Sequence, residues 1–368
     1  MSRLFEPTVF PRGSAMANRF MLAALTNTQS YAEGTLSADE HNWLTMRARG
    51  GFGAVMTAAA HVQPCGQGFP GQLGIFADRH VTNLTNLASA LRVAGTIPLV
   101  QLHHAGNRAP ADIIDATPVS ASDDPETGAR GLPTPEVEEL IESFVAAAER
   151  AERAGFAGVE LHGAHGYVLC QFLSAELNNR DDRFGGDLEG RSRIFFDILD
   201  GIRSRCGDDF IVGVRLSPER FGMKLAEIRT LSQRLIDSGQ VDFLDLSLWD
   251  CFKEPVEEEW AGRSLCEVAT DLDRRHDPSG RRVPLGVAGK IHDPADAERV
   301  LDMGADFAIL GRVAILHHDY PRRLAADPEF VANRPPVSPE YLAAEGLSPA
   351  FVEYLSRPGG LVKTDHME

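Results

Sequence analysis

Eight short apolar runs, each separated from the next by a stretch with helical spacing, constrain this chain more than any other feature. They fall at residues 19–25 (RFMLAAL), 53–59 (GAVMTAA), 97–102 (IPLVQL), 158–162 (GVELH), 210–216 (FIVGVRL), 241–247 (VDFLDLS), 283–288 (VPLGVA) and 307–310 (FAIL). Most are continuous, the pattern of parallel strands buried on both faces. Helical patterns at 39–49, 78–94, 135–154, 190–206, 224–238, 261–275, 293–303 and 321–326 occupy the intervals. The third opens with Thr134 as N-cap and Pro135 in its first turn, and Gly155 stops it. Eight strands alternating with eight helices predict an α/β fold, a (β/α)8 TIM barrel. The expected organisation is a single domain with loop insertions: a barrel over residues 1–333 and a C-terminal extension over 334–368. An open doubly wound sheet would need a glycine-rich dinucleotide turn after its first strand. The GFG at 51–53 lacks the third glycine and precedes a strand, so it is not that turn. The stretch 109–133, rich in Pro, Asp, Ser and Gly, reads as a loop inserted over the barrel mouth.

A chain of 368 residues with 43% hydrophobic residues buries a large core without disulfides or a structural metal. Its 36 Lys+Arg against 53 Asp+Glu leave a net charge of −17. That surface repels phosphate backbones and anionic lipid, so neither nucleic acid nor membrane is an expected partner. It leaves room for a local cationic pocket. The five cysteines, Cys65, Cys170, Cys206, Cys251 and Cys266, form no closely spaced pair, so zinc-ribbon and dithiol motifs are absent. The sparse, odd count fits a reducing cytosol. No apolar run reaches a membrane-span length and the opening residues show no apolar signal core. The protein is therefore expected in the cytoplasm.

Barrel active sites lie where the strands end. Polar groups recur there: Thr26, Gln101, His103, His162, His165, Arg215, Ser247 and Trp249. Gly289 with Lys290, and Gly311 with Arg312, follow the seventh and eighth runs, the place of a barrel phosphate site. His162 and His165 suit either zinc, with no third ligand legible, or two hydrogen bonds to one substrate oxygen. Tyr167, two residues on, offers a phenolic proton.

Residues 162–193, HGAHGYVLCQFLSAELNNRDDRFGGDLEGRSR, resemble the signature of the Old Yellow Enzyme family of flavin-dependent ene-reductases. NRFMLAALT (18–26), QLHHAGNR (101–108), VAGKI (287–291) and GADFAILGR (304–312) resemble further family motifs in the same order. The resemblance spans most of the chain. It implies bound FMN, with its phosphate at Gly289, Gly311 and Arg312. Gln101 matches the residue on the isoalloxazine ring, and Arg215 the arginine at the N1–C2=O edge. Ala24 and Ala59 match small residues beside the ring, and Thr26 the side chain near O4. His162 and His165 match the pair that binds the substrate oxygen, and Tyr167 the proton donor. The implied reaction is ping-pong: NADPH or NADH reduces the flavin, then an activated alkene takes the hydride.

Departures from the family pattern are His103, at the substrate-pocket wall, and Lys290, where a second glycine is common. The Lys290 ammonium is expected either on the phosphate or in solvent. Phe184 replaces a tyrosine, a structural change, and the cysteine cluster of the iron–sulfur relatives is missing. No metal is expected. Trp249 is placed in the substrate pocket at the head of an acidic segment, 249–260 (WDCFKEPVEEEW). That segment reads as a solvated lid, or as a lid selecting a cationic substrate for an N-demethylase of the same family. Two other classes stay open: a non-redox phosphate-binding barrel of the lyase or aldolase type, and a flavin-binding protein without turnover. The expected partner is a small-molecule substrate. A homo-oligomer is left open, because the helix-like run 347–357 (LSPAFVEYLSR) has either the barrel or a neighbouring subunit to pack on.

Overall fold

A computed structural model describes residues 2–274, 282–357 and 360–363. The last residue of the helix expected at 261–275, and residues 358–359 and 364–368 of the extension, lie outside these. Eight strands close into a parallel barrel: β1 (Phe20–Leu22), β2 (Ala54–His61), β3 (Ile97–His103), β4 (Gly158–Gly163), β5 (Ile211–Leu216), β6 (Phe243–Ser247), β7 (Leu285–Ala288) and β8 (Phe307–Leu310). The closed order is β1, β8, β7, β6, β5, β4, β3, β2. Every expected strand is present. The expected doubling of apolar faces holds too: alternate residues serve two separate clusters, one under the helices and one inside the barrel.

The inner cluster explains where the open space lies. Ala54, Ile97, Ile211, Phe243 and Phe307, each the first residue of its strand, are buried together with Phe10 from the segment before β1. Phe10 packs 5.5 Å from the Phe243 ring, which lies 6.2 Å from Phe307. Two strand glycines make room for these rings. A Cβ on Gly213 would sit 2.1 Å from the Phe243 ring, and one on Gly286 would sit 2.2 Å from Phe307. The strand starts are thus plugged by aromatics inside the barrel, and the main cavity opens towards the strand ends. Register then sets which side chains face that volume together. Gln101 lies beside Glu160, His162 beside Arg215, and Arg215 beside Asp245. A register shift in β2 between Met56 and Ala59 brings Ala59 level with Gln101.

The outer helices are α1 (Ala38–Arg49), α2 (Val81–Val93), α3 (Thr134–Arg153), α4 (Leu188–Arg205), α5 (Leu225–Asp237), α6 (Leu265–Thr270), α7 (Pro294–Asp302) and α8 (Tyr320–Ala326). Two expectations need correction. Pro133, not Thr134, is the N-cap of α3, because the Thr134 hydroxyl donates to Asp182 at 2.6 Å instead. The helix expected at 261–275 shrinks to the six residues of α6. Its start is set late by a capping box between Ser264 and Glu267. Its continuation is lost because the Gln233 side chain takes both the N–H and the C=O of Asp273, at 2.9 and 2.8 Å.

Short helices unforeseen from spacing follow the strand ends, at Val168–Leu173 and Arg312–Leu316. The insertion 109–133 holds a helical turn (Ala111–Ile114) and a two-stranded pair (Val119–Ser120 with Arg130–Gly131). It lines no part of the main cavity, contrary to its expected place over the mouth. Arg180 holds it aside by bonding the carbonyls of Ala121 and Leu132. The C-terminal segment runs back over α1. Phe351 packs 5.6 Å from Trp43, and Ser348 N–H donates to Gln29. Among the described residues, no helix is long and apolar enough to cross a membrane.

Candidate active site

A cavity of about 710 Å³ opens at the strand ends. That lies within the range of about 300–1,000 Å³ usual for cofactor and ligand sites. All thirteen residues singled out in the sequence line it: Ala24, Thr26, Ala59, Gln101, His103, His162, His165, Tyr167, Arg215, Trp249, Gly289, Gly311 and Arg312. The small side chains of Ala24, Ala59 and Ala288 contribute to the wall and leave space for a flat group.

Under this wall lies a buried polar network. Gln101 Nε2 donates to Glu160 Oε1 at 2.7 Å, and Arg215 Nε pairs with Asp245 Oδ2 at 3.1 Å. Burial pushes the Glu160 carboxyl up to about 8, helped by the charge of Asp245. Burial raises Asp245 as well, although Arg215 opposes it. At neutral pH Glu160 therefore keeps its proton, and the Arg215 charge works against protonation of both carboxyls.

The two histidines converge. His165 Nδ1 lies 3.3 Å from His162 Nε2, so an acceptor oxygen bridging these atoms would meet both. Burial holds both imidazoles neutral, His162 well below its ordinary value and His165 at about 3. Bonding at the other nitrogens sets the tautomers. Arg215 Nη2 donates to Ser247 Oγ at 3.5 Å, and Ser247 Oγ lies 2.8 Å from His165 Nε2. A Ser247 hydroxyl donating to Nε2 leaves the proton of His165 on Nδ1. His162 Nδ1 has no partner, and in the unliganded site His165 Nδ1–H donates to His162 Nε2; a substrate oxygen taking a bond from each ring replaces that contact, with the His162 proton on Nε2. His165 sits at φ +61°, and its N–H is held by Ser217 Oγ at 3.1 Å. Arg108 donates to its carbonyl. Among the described residues, no third potential ligand joins this pair at metal-binding distance.

Tyr167 stands over the same spot, its ring 5.2 Å from His162 and 4.3 Å edge-on from His103. His103 is 1% exposed, with neither ring nitrogen bonded, so it backs Tyr167 and forms little of the open wall. Trp249 is 61% exposed, at the rim.

At the far end, Gly289 has φ +155°, and a Cβ there would lie 2.9 Å from the Asp250 nitrogen, which demands glycine. Lys290 takes the second expected place: its side chain is exposed to solvent, where Nζ pairs with Asp250 Oδ2 at 2.9 Å. Arg312 is exposed and makes no ion pair with any described residue; it opens the Arg312–Leu316 turn, which has no side-chain cap. A free guanidinium beside two glycines suits a phosphate. The polar edge at Gln101 and Arg215, the small wall residues and this cationic end together fit FMN.

Much of the long 162–193 motif is scaffold. Asn178 Nδ2 bonds the carbonyls of Phe172 and Phe184, and Arg191 bonds those of Leu173 and Gly186. Phe184 is wholly buried against Phe172, as its structural reading required. Sequence reasoning missed Glu160, Asp245 and Arg108 as parts of the site. The signal for two of them was present: Glu160 is the one carboxylate of its apolar strand run, and Asp245 lies between leucines inside another.

The buried histidines carry a stability prediction. Burial holds His61, His80 and His317 at about 4, and His104 and His165 at about 3. Unfolded histidines take a proton near pH 6.5. Between pH 6.5 and 4 the unfolded chain therefore binds more protons, and stability falls as pH drops. Glu160 acts oppositely: its raised value favours the fold at low pH and loses that contribution as pH rises through about 8. Burial lowers His103 and His162 too and raises Glu40, Asp197 and Asp245 as well as Glu160; seven histidines outweigh four carboxyls, so Tm is expected to fall steadily from pH 6.5 to 4. A flat Tm across that window would contradict the neutral burial of these rings.

The sequence model of the NADH:flavin oxidoreductase / NADH oxidase family matches residues 3–329. A probable NADH-dependent flavin oxidoreductase of Bacillus subtilis, YqiG, is 35% identical over 320 residues, 84% of each chain. The NADH:fumarate oxidoreductase of Klebsiella pneumoniae is 32% identical over 341 residues, 89% of this chain but 36% of that longer protein. Among solved structures, the old yellow enzyme homologue of Zymomonas mobilis superposes with a TM-score of 0.77 at 24% identity, over 95% of this chain and 99% of that one. Morphinone reductase gives 0.76 at 22% identity over the whole of both chains. These two likenesses are likenesses of fold.

Proposed function

The chain belongs to the NADH:flavin oxidoreductase / NADH oxidase family, the Old Yellow Enzyme family, and from that premise we propose that this FMN-dependent NAD(P)H oxidoreductase reduces the activated C=C bond of α,β-unsaturated carbonyl or nitro compounds. Family membership overturns two of the classes left open by the sequence, the non-redox lyase or aldolase and the flavoprotein without turnover. When bound, FMN accepts a hydride from NADH or NADPH and passes it to the second substrate. The protein supplies orientation, charge and one proton.

Gln101 and Arg215 would hold the polar edge of the ring system, and Arg215 favours negative charge there. Thr26 would bond near O4, and Gly289, Gly311 and Arg312 would hold the phosphate. His162 Nε2–H and His165 Nδ1–H would donate to the substrate oxygen, where charge accumulates as the alkene accepts hydride. Tyr167 would then deliver its proton to the α-carbon. The convergence of two neutral imidazoles beneath one phenol is the observation that carries this reading. A methylated ammonium is the less favoured substrate. In the acidic segment Asp250 is spent on Lys290 and Glu257 on Leu225 N–H, Glu219 outside it binds Lys253 and Val256 N–H, and the nearby rim carries arginines.

An anaerobic visible spectrum tests the proposal. The oxidised flavin band should bleach with NADH or NADPH and return when 2-cyclohexenone is added. A band that bleaches but fails to return with enones or nitroalkenes would reject the alkene substrate. Arg312→Gln should raise the Kd for FMN about 10- to 100-fold, the worth of one charge-assisted bond. Fluorescence titration of the apoprotein reads this, and unchanged affinity would move the phosphate elsewhere.

A further inference from the structure

Two arginines at the mouth lie on aromatic rings and not against carboxylates. Arg108 stacks over the Tyr167 ring, its Cζ 4.8 Å from the centroid, and donates to the His165 carbonyl. Arg220 stacks over Trp249, with Cζ 4.4 Å from the ring. Both are exposed, and neither makes an ion pair with any described residue, although the chain carries 53 acidic residues and a charge of −17. Of the other rim cations, Lys290 is neutralised by Asp250 and Arg334 by Asp293, and Arg312 stands at the far, phosphate end. Both guanidiniums act on His165, and with Arg215 they are the charges that oppose its protonation. The positive field of this mouth is therefore concentrated on the end of the cavity where His162, His165 and Tyr167 meet.

Arginines stacked on aromatic faces are pre-ordered and poorly hydrated on one side, which favours capture of a carboxylate or phosphate. We propose that Arg108 and Arg220 form an oxyanion-recognition pair, and that reactants at this site carry a negative group held between them. The inference rests on the proposed alkene reductase and narrows its ligands to anionic ones. The group has two chemical sources. One is the carboxylate of an unsaturated acid, whose reduction places a second negative charge beside the first and so calls for full cations near neutral imidazoles. The other is the pyrophosphate of the nicotinamide dinucleotide. A cationic rim in an anionic protein would also steer either ligand into the mouth, an effect that salt weakens.

The test compares charged and neutral probes of matched shape on the FMN-loaded enzyme. Benzoate against benzamide reports a carboxylate, and NADH against the uncharged donor 1-benzyl-1,4-dihydronicotinamide reports the pyrophosphate. Arg108 also supports the His165 turn, so Arg220→Gln is the decisive variant, with Arg220→Lys and Arg108→Lys as charge-retaining controls. Arg220→Gln should weaken the charged member of at least one pair about tenfold. The neutral members should be unaffected, and Arg220→Lys should restore most of the loss. A loss confined to benzoate assigns the pair to substrate, and a loss confined to NADH assigns it to the dinucleotide. Equal affinities for charged and neutral members, unchanged in Arg220→Gln, would overturn the inference. A chain that binds no FMN would instead bring down the proposed function, which the flavin band reports separately.

Discussion

Replacing Tyr167 with phenylalanine is expected to slow reoxidation of the reduced enzyme by 2-cyclohexenone about 10²- to 10⁴-fold, the usual contribution of a placed general acid. Reduction by NADH or NADPH should be nearly unchanged, because no proton from the phenol is needed in that half. The ring stays in place, packed on His103 and His162 and covered by Arg108, so only the hydroxyl is lost. Burial pushes the phenol above its ordinary value, and the Arg108 charge works against that rise. Tyr167 is thus protonated throughout the neutral range, yet the phenolate left after transfer is supported by a neighbouring cation. Stopped-flow measurement of the two halves separately decides the matter. Equal slowing of both would show that Tyr167 shapes the site and does not supply the proton.

His162→Ala should lower turnover about 10²- to 10³-fold, equivalent to about 3–4 kcal/mol, the loss seen when one donor to a developing oxyanion is removed. It should also weaken phenol binding to the oxidised enzyme. His162→Asn, which keeps a side-chain donor, should recover part of both. The pH profile gives an independent check. Both imidazoles are neutral in the folded protein, so turnover should show no histidine inflection near pH 6.5. Such an inflection, or a His162→Ala enzyme with unaltered phenol affinity, would remove the pair from the oxygen-binding role. Comparison of Tm with the parent protein guards against a simple folding defect.

The legible parts of this protein share one property: they are set by neighbours in sequence. The eight strands could be read because continuous apolar runs with helical intervals have few other solutions, and their ends pointed to His162, His165, Arg215 and Arg312 before any packing was known. The helix expected at 261–275 failed for the opposite reason. Gln233, about forty residues earlier in the chain, competes for the backbone of Asp273, and no local pattern announces that bond. The partner of the exposed Lys290 is equally illegible, since Asp250 comes from the preceding strand's loop. The insertion at 109–133 was given the wrong location because Arg180 draws it away from the mouth.

Taken alone, the sequence determined the barrel, the end of it that carries chemistry and the residue types gathered there. Periodicity and chain order are local, and a parallel barrel converts strand order directly into neighbourhood. Only the tertiary structure decided the protonation and direction of those groups. The proton kept on Glu160 depends on burial beside Asp245 and Arg215, contributed by two other strands. The Nδ1 proton of His165 depends on Ser247, eighty-two residues away in the chain. The unpaired state of Arg108 and Arg220 depends on which carboxylates the fold spends elsewhere. Hydrogen bonds and dielectric surroundings act through space over a few ångströms, so they become defined only when distant segments meet.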